Sequence, residues 1–135
     1  MKDLMTSNVY DTSEVFIVMG TCLPKMQPKA FEELKKISDN IFEICLEKDH
    51  INMAITKLAG MTARNKIKHI IFASVDKSPH CTQLHYASKE LSKIINMPEI
   101  KMTSYVAVNN ELIEIPDEVI SLSKNLSELK NKIIK

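Results

Sequence analysis

Val15-Phe16-Ile17-Val18-Met19 is an unbroken apolar run that stops at Gly20. A strand with one wet face alternates apolar and polar residues. A run with no alternation must be covered on both sides, which suits a strand buried inside a parallel sheet. That requirement constrains the rest of the chain, because a sheet covered on both faces needs helices between its strands.

The remaining segments supply them. Thr21 to Gln27 reads as a loop, and Pro28 opens a helix whose Phe31, Leu34 and Ile37 repeat at helical spacing. Ile41 to Leu46 reads as a second strand rather than more helix, because Ser38-Asp39-Asn40 is a turn cluster. Asp49 is the expected cap of the next helix, with Ile51, Ile55, Leu58 and Thr62 on its inner face and Gly60 allowing close packing. His69 to Val75 is a third strand. Ser78 starts a helix that runs to about Asn96, with Leu84, Ala87, Leu91, Ile94 and Ile95 as its inner stripe. Tyr105 to Val108 is a fourth strand. Asn109-Asn110 is a turn, since asparagine tolerates positive φ, and Glu111 to Ile115 returns antiparallel. Pro116-Asp117 starts a final helix with Leu122, Leu126, Leu129 and Ile133 facing inward.

These elements predict an α/β fold. It is a three-layer sandwich with a mostly parallel sheet of four or five strands, in flavodoxin-like or Rossmann-like order, ending in a β-hairpin and a helix. Residues 1–14 are expected to be a polar, loosely ordered lead-in, and residues 15–135 a single domain.

Several function classes are disfavoured. Only Gly20 and Gly60 are glycine, too few for a dinucleotide or Walker phosphate loop. The net charge is +1, Arg64 is the only arginine, and aromatic residues are 5% of the chain. Nucleic-acid binding that depends on a basic field or stacking platforms is therefore not expected. No apolar run approaches a membrane span, and no apolar signal region opens the chain, so a cytoplasmic location is expected. Three cysteines, Cys22, Cys45 and Cys81, do not suggest a disulfide framework.

In doubly wound sheets, ligands bind beyond the carboxyl ends of the strands where strand order reverses. Cys22 follows the first strand, His50 the second, and the segment Asp76–His85 the third. In flavodoxin-like order the first and third strands are neighbours, and Cys22 faces His80 and Cys81. In Rossmann-like order the second strand separates them.

Within this segment, Ser78 reads as an N-cap and Pro79 as the first helical residue. His80 and Cys81 then fall in the first turn, where the helix dipole favours a thiolate. His85 lies four residues beyond Cys81, on the same helix face. Cys81 and His80 are the candidate catalytic groups, and Ser78, Asp76 and Cys22 the candidate ligand-binding groups. Cys22, Cys81, His80 and His85 form a candidate metal set for zinc or iron. Each has a bland alternative: Cys81 as a small core residue, His80 bonded to a loop carbonyl, Asp76 as a turn residue, Ser78 as a cap alone. Cys45, inside an apolar run, reads as core.

Ser74-Val75-Asp76-Lys77-Ser78-Pro79-His80-Cys81-Thr82-Gln83-Leu84-His85, with the turn at Asn109-Asn110, resembles a set of small uncharacterised bacterial and archaeal α/β proteins. That set is associated with iron–sulfur or ferredoxin-type descriptions. The resemblance covers the central third of the chain and implies that this segment is a site. The chain departs from a ferredoxin in having no Cys-x-x-Cys, so a cluster built by one chain from local motifs is not implied.

Three functions follow as expectations. One is a thiol or metal site at the carboxyl edge of the sheet that takes a small molecule or soft metal. A second is a non-catalytic binding module or accessory subunit. A third is an enzyme that holds a small anionic substrate on the N–H groups around Ser78, with His80 as acid or base. A homo-oligomer is compatible with each.

Overall fold

The computed structural model describes residues 1–134; the side chains of His80 and Cys81 lie outside the described residues. The elements, in chain order, are β1 (Lys2–Asp3), β2 (Val15–Gly20), α1 (Leu23–Met26), α2 (Pro28–Ile37), β3 (Ile41–Ile44) and α3 (Ile51–Arg64). They continue with β4 (His69–Val75), α4 (Pro79–Ile95), β5 (Lys101–Val108), β6 (Glu111–Glu114), α5 (Asp117–Ser123) and α6 (Leu126–Ile133).

One six-stranded sheet runs in the order β1-β3-β2-β4-β5-β6. All pairings are parallel except β5 with β6. Without the edge strand β1, this is the flavodoxin-like order. β2 lies beside β4, with Met19 paired to Ala73, and beside β3, with Gly20 paired to Ile44. The switch point therefore falls between β2 and β4.

The strands divide the core in two by their alternation. Phe16, Val18, Phe42, Ile44, Ile70 and Phe72 pack with Leu58 and Met61 of α3 and Leu84 and Leu91 of α4. Ile17, Met19, Ile71, Ala73 and Val75 pack on the other side with Leu23, Ala30 and Leu34 of α1 and α2. Helices on both sides explain the unbroken apolar runs of β2 over residues 15–19 and of β4 over residues 70–73.

The N-terminal segment differs from the expected lead-in. Lys2 and Asp3 pair with Phe42 and Glu43, and Leu4 is fully buried in the core. Two polar residues carry no strand periodicity; their strand exists because the edge of β3 offers unpaired backbone groups. Val9 packs over Gly60 of α3, where an added Cβ would lie 3.3 Å from Val9 Cγ1.

Other differences are local. Part of the Thr21–Gln27 loop is the short helix α1. The cap of α3 is His50 rather than Asp49, with no side-chain cap bond. The inner face of α3 is Ala54, Leu58, Met61 and Thr62. Ile94 of α4 is exposed, while Leu84, Ala87 and Leu91 are buried.

The expected final helix is two helices. Asn125 Oδ1 accepts from the Glu128 N–H at 3.2 Å, and Asn125 Nδ2 donates to Glu128 Oε2 at 3.1 Å. This reciprocal cap starts α6 afresh. Leu126 and Ile133 are then exposed rather than inward, and Ile120 of α5 is the buried residue. The hairpin turn matches expectation, with φ of 52° at Asn109 and 61° at Asn110. Among the described residues, no helix is long and apolar enough to cross a membrane.

Candidate functional site

Beyond the carboxyl ends of β2 and β3 lies a cavity of about 310 Å³. Gly20 and Ile44 form its floor. Cys22, Lys25, Cys45, Leu46 and Glu47 wall it, and Ser78, just before α4, closes it with Leu84 of α4. A second, more open hollow of about 570 Å³ shares Cys22, Glu47 and Ser78 with the first. It extends toward Asp76, Lys77, Gln27 and Asn109. The two form one cleft at the switch point, where a doubly wound sheet leaves room between diverging connections.

Local folding explains these positions. Gly20 ends β2, and the Thr21 N–H still donates to the Ile44 carbonyl at 3.0 Å. The chain then turns into α1 with Cys22 as its N-cap residue. β3 stops at Ile44, so Cys45 stands just past a strand end rather than within the core. Cys22 is exposed and Cys45 half-buried, and both line the same cavity. Sequence reasoning assigned Cys45 to the core because the apolar run continues to Leu46. The usable signal was the length of β3, which ends level with Gly20 of β2.

The predicted residues divide into groups. Cys22, Ser78 and Asp76 all border the cleft. Cys22, Glu47 and Ser78 also have partners of their own. The Asp76 N–H donates to the Ala107 carbonyl at 3.1 Å, tying the β4–α4 turn to β5. Lys77 in that turn has φ of 74°. His80 and Cys81 occupy the first turn of α4 by their backbone; their side chains lie outside the described residues. His50 is exposed at the start of α3, away from the cleft walls.

His85, expected beside Cys81 in a ligand set, lies in the core instead. It is 4% exposed, and its Nε2 is 2.7 Å from Ser74 Oγ on β4. No described group pairs with Nδ1. Burial pushes its pKa down to about 4, so the ring is neutral near pH 7. The reason is helical geometry: His85 shares the inward stripe with Leu84 and Ser88 rather than the rim. Among the described residues, no group of three His, Cys, Asp or Glu side chains is placed to hold a metal ion.

The sheet order, the helices on both faces and the cleft at the switch point define a doubly wound α/β protein. A family model described as a Rossmann-like domain matches residues 10–135, and the chain belongs to that family. The match is to a fold; the iron–sulfur chemistry implied by the resemblance is not part of it. No curated protein and no solved structure matches the chain.

Proposed function

We propose that the protein binds a small ligand in the cleft at the carboxyl edge of the sheet, with cysteine thiols as its reactive groups. One observation carries this reading: Cys22 and Cys45 line a single, mainly apolar cavity at the switch point of the sheet. Apolar walls with few polar groups are the usual make-up of a small-molecule pocket. Lys25 and Lys77 stand at its two ends and suit a ligand bearing negative charge. Cys81 and His80 enter the proposal by their place in the first turn of α4.

A second reading, a soft metal ion such as zinc or iron, is favoured by a different observation. All three cysteines follow adjacent parallel strands: Cys45 after β3, Cys22 after β2 and Cys81 after β4. Thiolates are the preferred ligands of such ions.

The test is anaerobic purification without chelator, followed by metal analysis and by iodoacetamide labelling of the folded protein. The ligand-site reading expects Cys22 and Cys45 to label without unfolding. It also expects Cys45→Ser to slow labelling of neither Cys22 nor the fold. Stoichiometric metal lost in Cys22→Ser or Cys45→Ser selects the metal reading. Cysteines at positions 22 and 45 that stay unlabelled in metal-free folded protein overturn both.

A further inference from the structure

Two bonds between residues far apart in sequence pin the hairpin turn after β5 to the start of α2. The Asn110 N–H donates to Gln27 Oε1 at 2.6 Å, and Asn110 Oδ1 accepts from the Lys29 N–H at 3.2 Å. Asn109 and Asn110 form the turn with φ of 52° and 61°. A backbone N–H can only donate, so this bond fixes which end of the Gln27 amide meets Asn110. Its oxygen is taken, and Nε2 with its two hydrogens is the end left for other partners. Gln27 borders the more open hollow of the cleft, together with Asn109 and Lys77.

These residues bring hydrogen-bond donors to one place: an oriented amide nitrogen from Gln27, an ammonium from Lys77 and a second amide from Asn109. Net charge does not choose the ligand, because Glu47 and Asp76 match Lys25 and Lys77 around the cleft. A few directed donors beside the Asp76 carboxylate suit one carboxylate head with its two oxygens. A phosphate dianion is held by arginine forks or by a glycine-rich loop, and the described lining offers neither. The inner cavity suits the other half of such a ligand. It is mainly apolar, and its 310 Å³ is about twice the volume of roughly 150 Å³ that holds one benzene ring. The two spaces share Cys22, Glu47 and Ser78.

On the reading of the cleft as a ligand site, we propose that it takes a monocarboxylic acid with an apolar chain. The carboxylate sits in the open hollow on Gln27 Nε2 and Lys77, and the chain enters the inner cavity past Cys22. Gln27 selects the head group, and Asn110 holds its amide in place. The sequence carries no local sign of this role, because the two residues lie 83 positions apart.

Titration calorimetry of the reduced, metal-free protein with octanoate, octylamine and octyl phosphate tests this. Octanoate is expected to bind most tightly. Gln27→Glu keeps an oxygen for the Asn110 N–H but replaces the donor with a second acceptor and a negative charge. It should weaken octanoate about tenfold or more while leaving the melting temperature unchanged. Octylamine or octyl phosphate binding as tightly as octanoate overturns the carboxylic-acid assignment, as does a Gln27→Glu variant that keeps full affinity for octanoate. Octanoate that does not bind the wild type also overturns it. The proposal then falls alone where Cys22 and Cys45 of the folded protein label with iodoacetamide, and takes the ligand-site reading with it where they do not.

Discussion

His85 Nε2 lies 2.7 Å from Ser74 Oγ, and this one bond fixes a neutral imidazole between α4 and β4. The tautomer that donates from Nε2 leaves only the Nδ1 lone pair unmatched, rather than stranding a buried N–H. Burial lowers the His85 pKa to about 4, while an unfolded histidine titrates near 6.5. Between these values the unfolded chain takes up a proton that the folded chain refuses. Stability from this group is therefore full above the unfolded value and falls as pH drops from about 6.5 to about 4. The loss approaches about 3 kcal/mol at the low end. Urea unfolding at a series of pH values checks this. In His85→Gln the slope across that window should shrink markedly; an unchanged slope would assign it to other groups.

Leu4 is fully buried although it belongs to a segment whose sequence reads as polar. Its position depends on the backbone bond from the Leu4 N–H to the Glu43 carbonyl, 2.9 Å long, beside β3. Leu4→Ala should cost about 2–5 kcal/mol, as for other fully buried leucines. Thermal or denaturant unfolding gives the value. A cost well under 1 kcal/mol would mean that the segment contributes little to the core.

The pattern of success in reading this chain has a physical basis. Strands β2 and β4 were legible because burial on both faces gives them apolar runs without alternation, over residues 15–19 and 70–73. Their order was not, because parallel neighbours are chosen by which side of the sheet each connecting helix crosses. That choice depends on packing of α2 and α3 against opposite faces. Cys22, Ser78 and Asp76 could be placed beside the cleft because they follow strand ends. Cys45 was misassigned by two residues of strand length. His85 was placed at the rim by its spacing from Cys81, yet helical phase relative to Leu84 and Leu91 turns it inward. The break at Asn125 carried a visible sign, Asn-x-x-Glu, which the continuous apolar spacing across it obscured.

Gly60 is where the N-terminal segment meets α3. Asn65 Nδ2 donates to the Val9 carbonyl at 2.7 Å and holds Val9 over the glycine. Gly60→Ala gains helix propensity of up to about 1 kcal/mol, offset by a contact at 3.3 Å with Val9, so its net effect should be small. Gly60→Leu cannot be accommodated without moving Val9 and should cost about 1–3 kcal/mol. Limited proteolysis should then cut within residues 5–14 faster than in the wild type. Equal cutting rates would show that Val9 yields without releasing the segment.

Lys77 is the residue whose backbone is least natural for its type. Its φ of 74° lies in the left-handed region, which costs a non-glycine residue about 1–2 kcal/mol. The turn it forms carries the chain from β4 into α4, so the strained residue borders the cleft proposed to take a ligand. Strain of this kind often persists where the side chain has a task. Lys77→Gly removes the steric cost but adds freedom to the unfolded chain, and the balance should leave the protein more stable by up to about 1 kcal/mol. If the lysine serves an anionic ligand, the same variant should bind that ligand more weakly while melting at a higher temperature. Calorimetry of the two proteins decides the first half. A variant that melts lower would show that Lys77 stabilises the turn through its own side chain and is not held there in spite of its backbone.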